Sequence, residues 1–172
     1  MLILGLDPGL RHTGWGLVEA DGTRLRFLAC GVVHTDGGDE LAARLGGLYR
    51  GLARVIETHL PREAAVEETV VNRNPLSSLK LGHARGVVLL AAAQAGLGVH
   101  EYAAATVKKA VTGTGGAAKA QVATMVRFLL PGCGEVGADA ADALAVAVCH
   151  AHFRAGRAKI AAQIARNAGT PA

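Results

Sequence analysis

Four carboxylates stand where a fold would gather them: Asp7, Glu67, Asp139 and Asp142. Asp7 closes the apolar run 2–6 and is followed by Pro8-Gly9, so it reads as the end of a buried strand stopped by a turn. Glu67 closes a second short apolar run, 64–66. If those strands lie parallel and adjacent, both carboxylates leave the sheet at one edge, the carboxyl edge where open sheets carry their sites. Asp139 and Asp142 are three residues apart in a helical stretch and share a face. They read as first-turn residues, where negative charge is favoured. Each acid alone has an ordinary structural reading: an Asx turn for Asp7, an exposed strand end for Glu67, a helix cap for Asp139, a solvated first-turn acid for Asp142. Four together repel one another unless cations fill the space between them. An all-oxygen donor set suits Mg²⁺ or Mn²⁺ and not zinc.

The elements that must position these groups follow from the patterning. Runs 14–19 and 24–33 flank Asp21-Gly22, a hairpin signal, so three antiparallel strands open the chain. From Asp39 or Glu40 to His59, apolar residues recur at helical spacing, and Pro61 lies just beyond. Asn74-Pro75 is a cap followed by a first-turn proline, opening a helix to about Gln94. A fifth strand is expected at 99–102, short helices at 106–111 and 118–130, and a last strong helix from Asp139 to about Phe153. An antiparallel start followed by strand–helix alternation predicts an α/β domain: a mixed five-stranded sheet with helices on its faces. Residues 1–153 form that domain, and 154–172 are a basic tail.

The chain has 172 residues, enough for one domain. Apolar residues make up 51% and aromatics only 3%, so small aliphatic groups must fill the core. The net charge of +4 tolerates a polyanionic partner without requiring one. Its distribution says more. Seven Lys or Arg fall between Arg73 and Arg127 against one acid, Glu101, and no acid follows Asp142. Cys30, Cys133 and Cys149 are odd in number and form no CxxC pair, which points to reduced thiols in a cytoplasmic protein. The start of the chain lacks a secretory pattern, and the apolar run 87–93 is far shorter than the ~20 residues that span a bilayer. His150 and His152 form an H-x-H pair without a partner at metal-ligand spacing, and read as packing or surface residues.

Three segments, in order, resemble the RuvC family of junction resolvases: Gly5-Leu6-Asp7-Pro8-Gly9-Leu10-Arg11-His12-Thr13-Gly14-Trp15-Gly16, Leu79-Lys80-Leu81-Gly82-His83-Ala84-Arg85-Gly86, and Ala138-Asp139-Ala140-Ala141-Asp142-Ala143-Leu144-Ala145. The resemblance covers roughly residues 1 to 153. It implies a ribonuclease H-like fold and a homodimer that cuts four-way DNA junctions with two metal ions per active site, leaving 3′-hydroxyl and 5′-phosphate ends. It also implies the RuvA–RuvB branch-migration complex as a partner. Asp7, Glu67, Asp139 and Asp142 fall on the family's catalytic acids, which would hold Mg²⁺, with Mn²⁺ as a substitute. Lys108 and Lys119 look like its functional lysines, and Arg73 and Asn74 like junction contacts, to which Lys80 and Arg85 of the middle motif are added. The family often carries an aromatic near Val70; valine wedges against a base but does not stack on it. By the same resemblance the helix 75–94 pairs with its copy.

Other functions fit less well. A sugar-kinase-like ATPase needs a second phosphate loop that this chain lacks. A non-catalytic junction binder would keep four mutually repelling acids to no purpose. A nuclease of the same fold acting on another nucleic acid is the alternative that the acids alone leave open.

Overall fold

The computed structural model describes residues 1–68 and 74–168. The elements run β1 (Leu2–Asp7), β2 (His12–Asp21), β3 (Arg24–His34), α1 (Leu41–His59), β4 (Glu63–Glu68), α2 (Pro75–Gln94), β5 (Gly98–Ala103), α3 (Ala104–Thr112), α4 (Lys119–Leu129) and α5 (Ala138–Ala168). The strands form one sheet in the order β3-β2-β1-β4-β5. The β1–β2 and β2–β3 pairs are antiparallel, while β1–β4 and β4–β5 are parallel. The mixed five-stranded sheet expected from the patterning is therefore present. Gly22 turns the β2–β3 hairpin at φ +58°, a conformation that the Asp-Gly pair supplies without a Cβ clash.

Side chains alternate across the sheet, so each strand serves two cores. Leu4, Leu6, Leu17, Ala64 and Val66 pack beneath α1 and α2. Ile3, Val18 and Ala65 face α3, α4 and α5. Helix α1 inserts Leu48, Leu52 and Ile56, four residues apart and buried. Each such side chain contributes about 2 kcal/mol, far more than helix propensity does. Helix α2 begins as the sequence predicts: the Asn74 side chain accepts bonds from the amides of Leu76 and Ser77, and Pro75 occupies the first turn.

Helix α5 lies directly on the sheet. It is buried nearly all round between Ala140 and Ala151, so it shows no apolar stripe; alanines alternate there with the larger Leu144, Val146, Val148 and His150. Closeness is the reason for the glycines opposite. A Cβ on Gly5 would stand 2.0 Å from the carbonyl oxygen of Ala143, and one on Gly14 would stand 2.0 Å from that of Asp139. The helix does not fade near Phe153 but continues to Ala168, almost wholly exposed beyond that point. Alanine, arginine, lysine and glutamine favour helix without help from a core.

Candidate active site

The four acids meet at the carboxyl edge of β1 and β4. Leu6 and Val66 are register partners, so Asp7 and Glu67 are the next residues along two parallel neighbours. Both share a face with Ile3 and Ala65, the face on which α5 lies. Helix α5 brings Asp139 and Asp142 over them, its start seated against Gly14. Only Asp139 is in the first turn, because the helix begins at Ala138; Asp142 opens the second turn. The favourable helix dipole therefore acts mainly on Asp139.

The Pro8–Arg11 turn that fixes Asp7 is pinned from within. Buried Thr13 donates its hydroxyl to the Gly9 carbonyl at 2.6 Å and accepts the Gly9 amide at 3.3 Å. Electrostatics then show how tightly the acids crowd. Burial pushes the Asp7 carboxyl from 3.8 up to about 7, helped by the charges of Glu67, Asp142 and Asp139 and opposed by Lys119. Burial and Asp142 raise Glu67 as well, against Lys119 and Lys108. Both lysines thus stand within electrostatic reach of the cluster. Lys119 Nζ lies 2.8 Å from Asp142 Oδ2, and the hydrogen bond and charge of Asp142 hold its ammonium above the ordinary lysine range.

Lys119 is the first residue of α4, whose start is capped by Gln121 accepting the Ala118 amide at 2.9 Å. A cation at a helix N-terminus opposes the macrodipole. The ion pair with Asp142 offsets that opposition.

The remaining candidates are distributed around this edge. Asn74 caps α2, and exposed Lys80 lies on that helix. Lys80 lines a cleft with Leu10, Arg11, Arg44, Ser77 and Leu81. Arg11 and Arg44 were not singled out by sequence reasoning, because a lone arginine carries no positional signal. Arg44 donates to the Thr35 hydroxyl at 3.2 Å and to the Leu10 carbonyl at 3.4 Å, which holds it there. Arg85 does not stand free: its guanidinium is paired with Glu101 of β5. Val70 and Arg73 lie outside the described residues.

The arrangement gathers four carboxylates at one sheet edge, two of them raised by burial, with two lysines at its border. The profile of the family described as "Crossover junction endodeoxyribonuclease RuvC" matches residues 3–150. A protein of that description from Rhodospirillum rubrum is 60% identical over 161 residues, covering 94% of this chain and 95% of the relative. One from Paramagnetospirillum magneticum is 60% identical over 166 residues, covering 96% and 100%. Among solved structures, T. thermophilus RuvC in complex with a Holliday junction substrate superposes with a TM-score of 0.83 at 36% identity, over 90% of this chain and 95% of that one.

Proposed function

The chain belongs to the RuvC family of crossover junction endodeoxyribonucleases, and from that membership we propose that it resolves four-way DNA junctions by paired, symmetric nicks during recombination and DNA repair. The carrying observation is the acid cluster, in which burial and three neighbouring carboxylates lift Asp7 to about 7. Carboxylates crowded in this way are a poor arrangement in isolation and a good one around divalent cations. The donor set fits: oxygens alone suit Mg²⁺, with Mn²⁺ as a substitute. Asp7, Glu67, Asp139 and Asp142 would hold two such ions. Bound there, the ions supply the Lewis acidity that phosphodiester hydrolysis requires.

The chain's own groups do the rest. Lys119 and Lys108 place positive charge beside the scissile phosphate, as compact point charges. Lys80 lines the cleft that Arg11 and Arg44 border, and with Asn74 at the start of α2 these groups receive phosphates of the junction arms. Arg85 joins them only where DNA outcompetes Glu101. Val70 and Arg73 complete the junction contacts, with valine wedging where an aromatic would stack. The expected ends are a 3′-hydroxyl and a 5′-phosphate. A homodimer formed through α2, acting in the cytoplasm with the RuvA–RuvB complex, delivers two matching cuts.

The test is cleavage of a synthetic four-way junction against linear duplex of the same sequence, with Mg²⁺ and with excess EDTA. Preferential, metal-dependent cutting of the junction is expected. Equal rates on the two substrates would leave a general nuclease of the same fold, and full activity in EDTA would reject the metal mechanism.

A further inference from the structure

A second cluster of ligating side chains stands at the other end of β4. Glu63 and Glu67 share a face of that strand, four residues apart, or roughly 13 Å. Facing the same helix, His100 of β5 is the register partner of Ala65. His150 lies on α5, eight residues past Asp142, or roughly 12 Å along the helix. One ligand atom each from Glu63, His100 and His150 lies within 4.8 Å of the others. We propose that these three residues form a site for a zinc-class transition metal ion, separate from the acid cluster, that ties β4, β5 and α5 together.

The chemistry of the surroundings supports this assignment. Two imidazoles and one carboxylate suit Zn²⁺, Ni²⁺ or Co²⁺ and not Mg²⁺. His150 is fully buried, and burial holds it below the ordinary histidine range. Neutral imidazole is the form that binds metals. Without an ion, His150 Nε2 lies 2.6 Å from Glu63 Oε2, and the Tyr102 hydroxyl lies 2.7 Å from Nδ1. The ionised Glu63 requires Nε2 to carry the hydrogen. An ion replaces that hydrogen bond when the proton moves to Nδ1, which then donates to the Tyr102 oxygen; no net proton is lost. A metal-bound histidine whose other nitrogen donates to an oxygen is the usual outer-shell arrangement. Arg154 engages Oε1 of Glu63 at 2.8 Å and leaves Oε2 for the ion. Three protein ligands would leave one position for water.

The decisive experiment is zinc titration by calorimetry in millimolar Mg²⁺, on the unmutated protein and on Asp7→Asn, with melting temperatures measured in parallel. One equivalent of Zn²⁺ should bind both proteins and raise their melting temperatures. His100→Ala should weaken binding by more than the roughly 10–100-fold that loss of an outer partner alone costs, with junction cleavage in Mg²⁺ kept. Binding lost in Asp7→Asn, or unchanged in His100→Ala, would overturn the site. Should His100→Ala not fold, X-ray absorption of the zinc-loaded unmutated protein decides: two imidazole ligands support the site, and oxygen ligands alone refute it.

Discussion

The alpha carbon of Gly14 faces the backbone of Asp139 so closely that a methyl group there would overlap the Asp139 carbonyl, 2.0 Å away. The same contact sets the depth of α5 and hence the height of two acids above Asp7. Gly14→Ala should therefore damage the site through the fold. Overpacking of this kind costs about 1–3 kcal/mol, and a displaced α5 start should lower cleavage by roughly 100-fold. Gly47→Ala in α1 is the matched control, because a Cβ there meets nothing within 4 Å. It should stabilise the protein by about 0.5–1 kcal/mol and leave cleavage intact. Denaturant melts and junction cleavage of both variants measure this; a fully active Gly14→Ala would contradict the close-approach argument.

Asp7 makes stability depend on pH in an unusual direction. Its folded value, about 7, lies above the unfolded value of 3.8, so the unfolded chain gives up this proton first. Metal-free stability should fall as pH rises between those values, and the loss should be complete above about 7. Asp7→Asn removes the penalty. The variant should melt above the unmutated metal-free protein at pH 8, with the gap closing towards pH 5. Mg²⁺ should raise the unmutated protein at pH 8 far more than the variant. Identical pH profiles for the two proteins would show that Asp7 is not crowded as described.

Removing the carboxylates should separate binding from chemistry. Asp7→Asn, Glu67→Gln and Asp142→Asn should each lower cleavage by at least roughly 1000-fold, while junction binding in Ca²⁺ stays within a few-fold. A filter-binding assay beside a single-turnover cleavage assay reads both quantities. Near-normal cleavage by either of the first two variants would remove those residues from the metal set.

How much of this was legible in the sequence depends on the range of the contact that carries it. Asp7 and Glu67 could be read as strand ends because apolar runs and turn residues are local signals, and Asn74-Pro75 marked its helix for the same reason. The parallel pairing of β1 with β4 had to be supposed, since nothing local encodes which strands become neighbours. The sequence shows Arg85 as one of seven basic residues in its span, and only the fold reveals Glu101, sixteen residues on, as its partner. His150 was read from its H-x-H spacing, whereas its actual partners, Glu63 and Tyr102, are 87 and 48 residues away. Helix α5 ran past Phe153 because propensity alone sustained it where the apolar pattern stopped.

Lys119 offers a test that distinguishes catalytic from structural roles. Its side chain is 78% exposed, so its ion pair with Asp142 adds little to stability. Lys119→Ala should change the melting temperature by no more than a surface substitution does, while the cleavage rate falls by roughly 100-fold. Lys119→Arg should restore part of the rate, because the charge returns in a different shape. A variant that loses stability and activity in proportion would make the lysine a tether for α4 instead.

The last prediction concerns symmetry. A four-way junction has approximate twofold symmetry, and two opposed strands must be cut at matching points. A twofold dimer presents the same active site twice and meets that demand in one encounter. Helix α2 is the surface proposed for it. Ala84, Val88, Ala91 and Ala92 are buried in the chain's own core. Leu76, Leu79 and Leu90 are 69%, 58% and 50% exposed, and with His83 and Gly86 they form one stripe at helical spacing. Leu89 instead packs partly into the core, so a charge there would confuse folding with assembly. Leu90→Glu is the cleaner change: the domain should stay folded while the dimer weakens. In ultracentrifugation it should sediment as a monomer at micromolar concentration, where the unmutated protein should sediment as a dimer. On a supercoiled plasmid bearing an extruded cruciform, the variant should yield nicked circles, and the unmutated protein linear product from coordinated cuts. Linear product from a monomeric Leu90→Glu protein would show that paired incision does not depend on this seam.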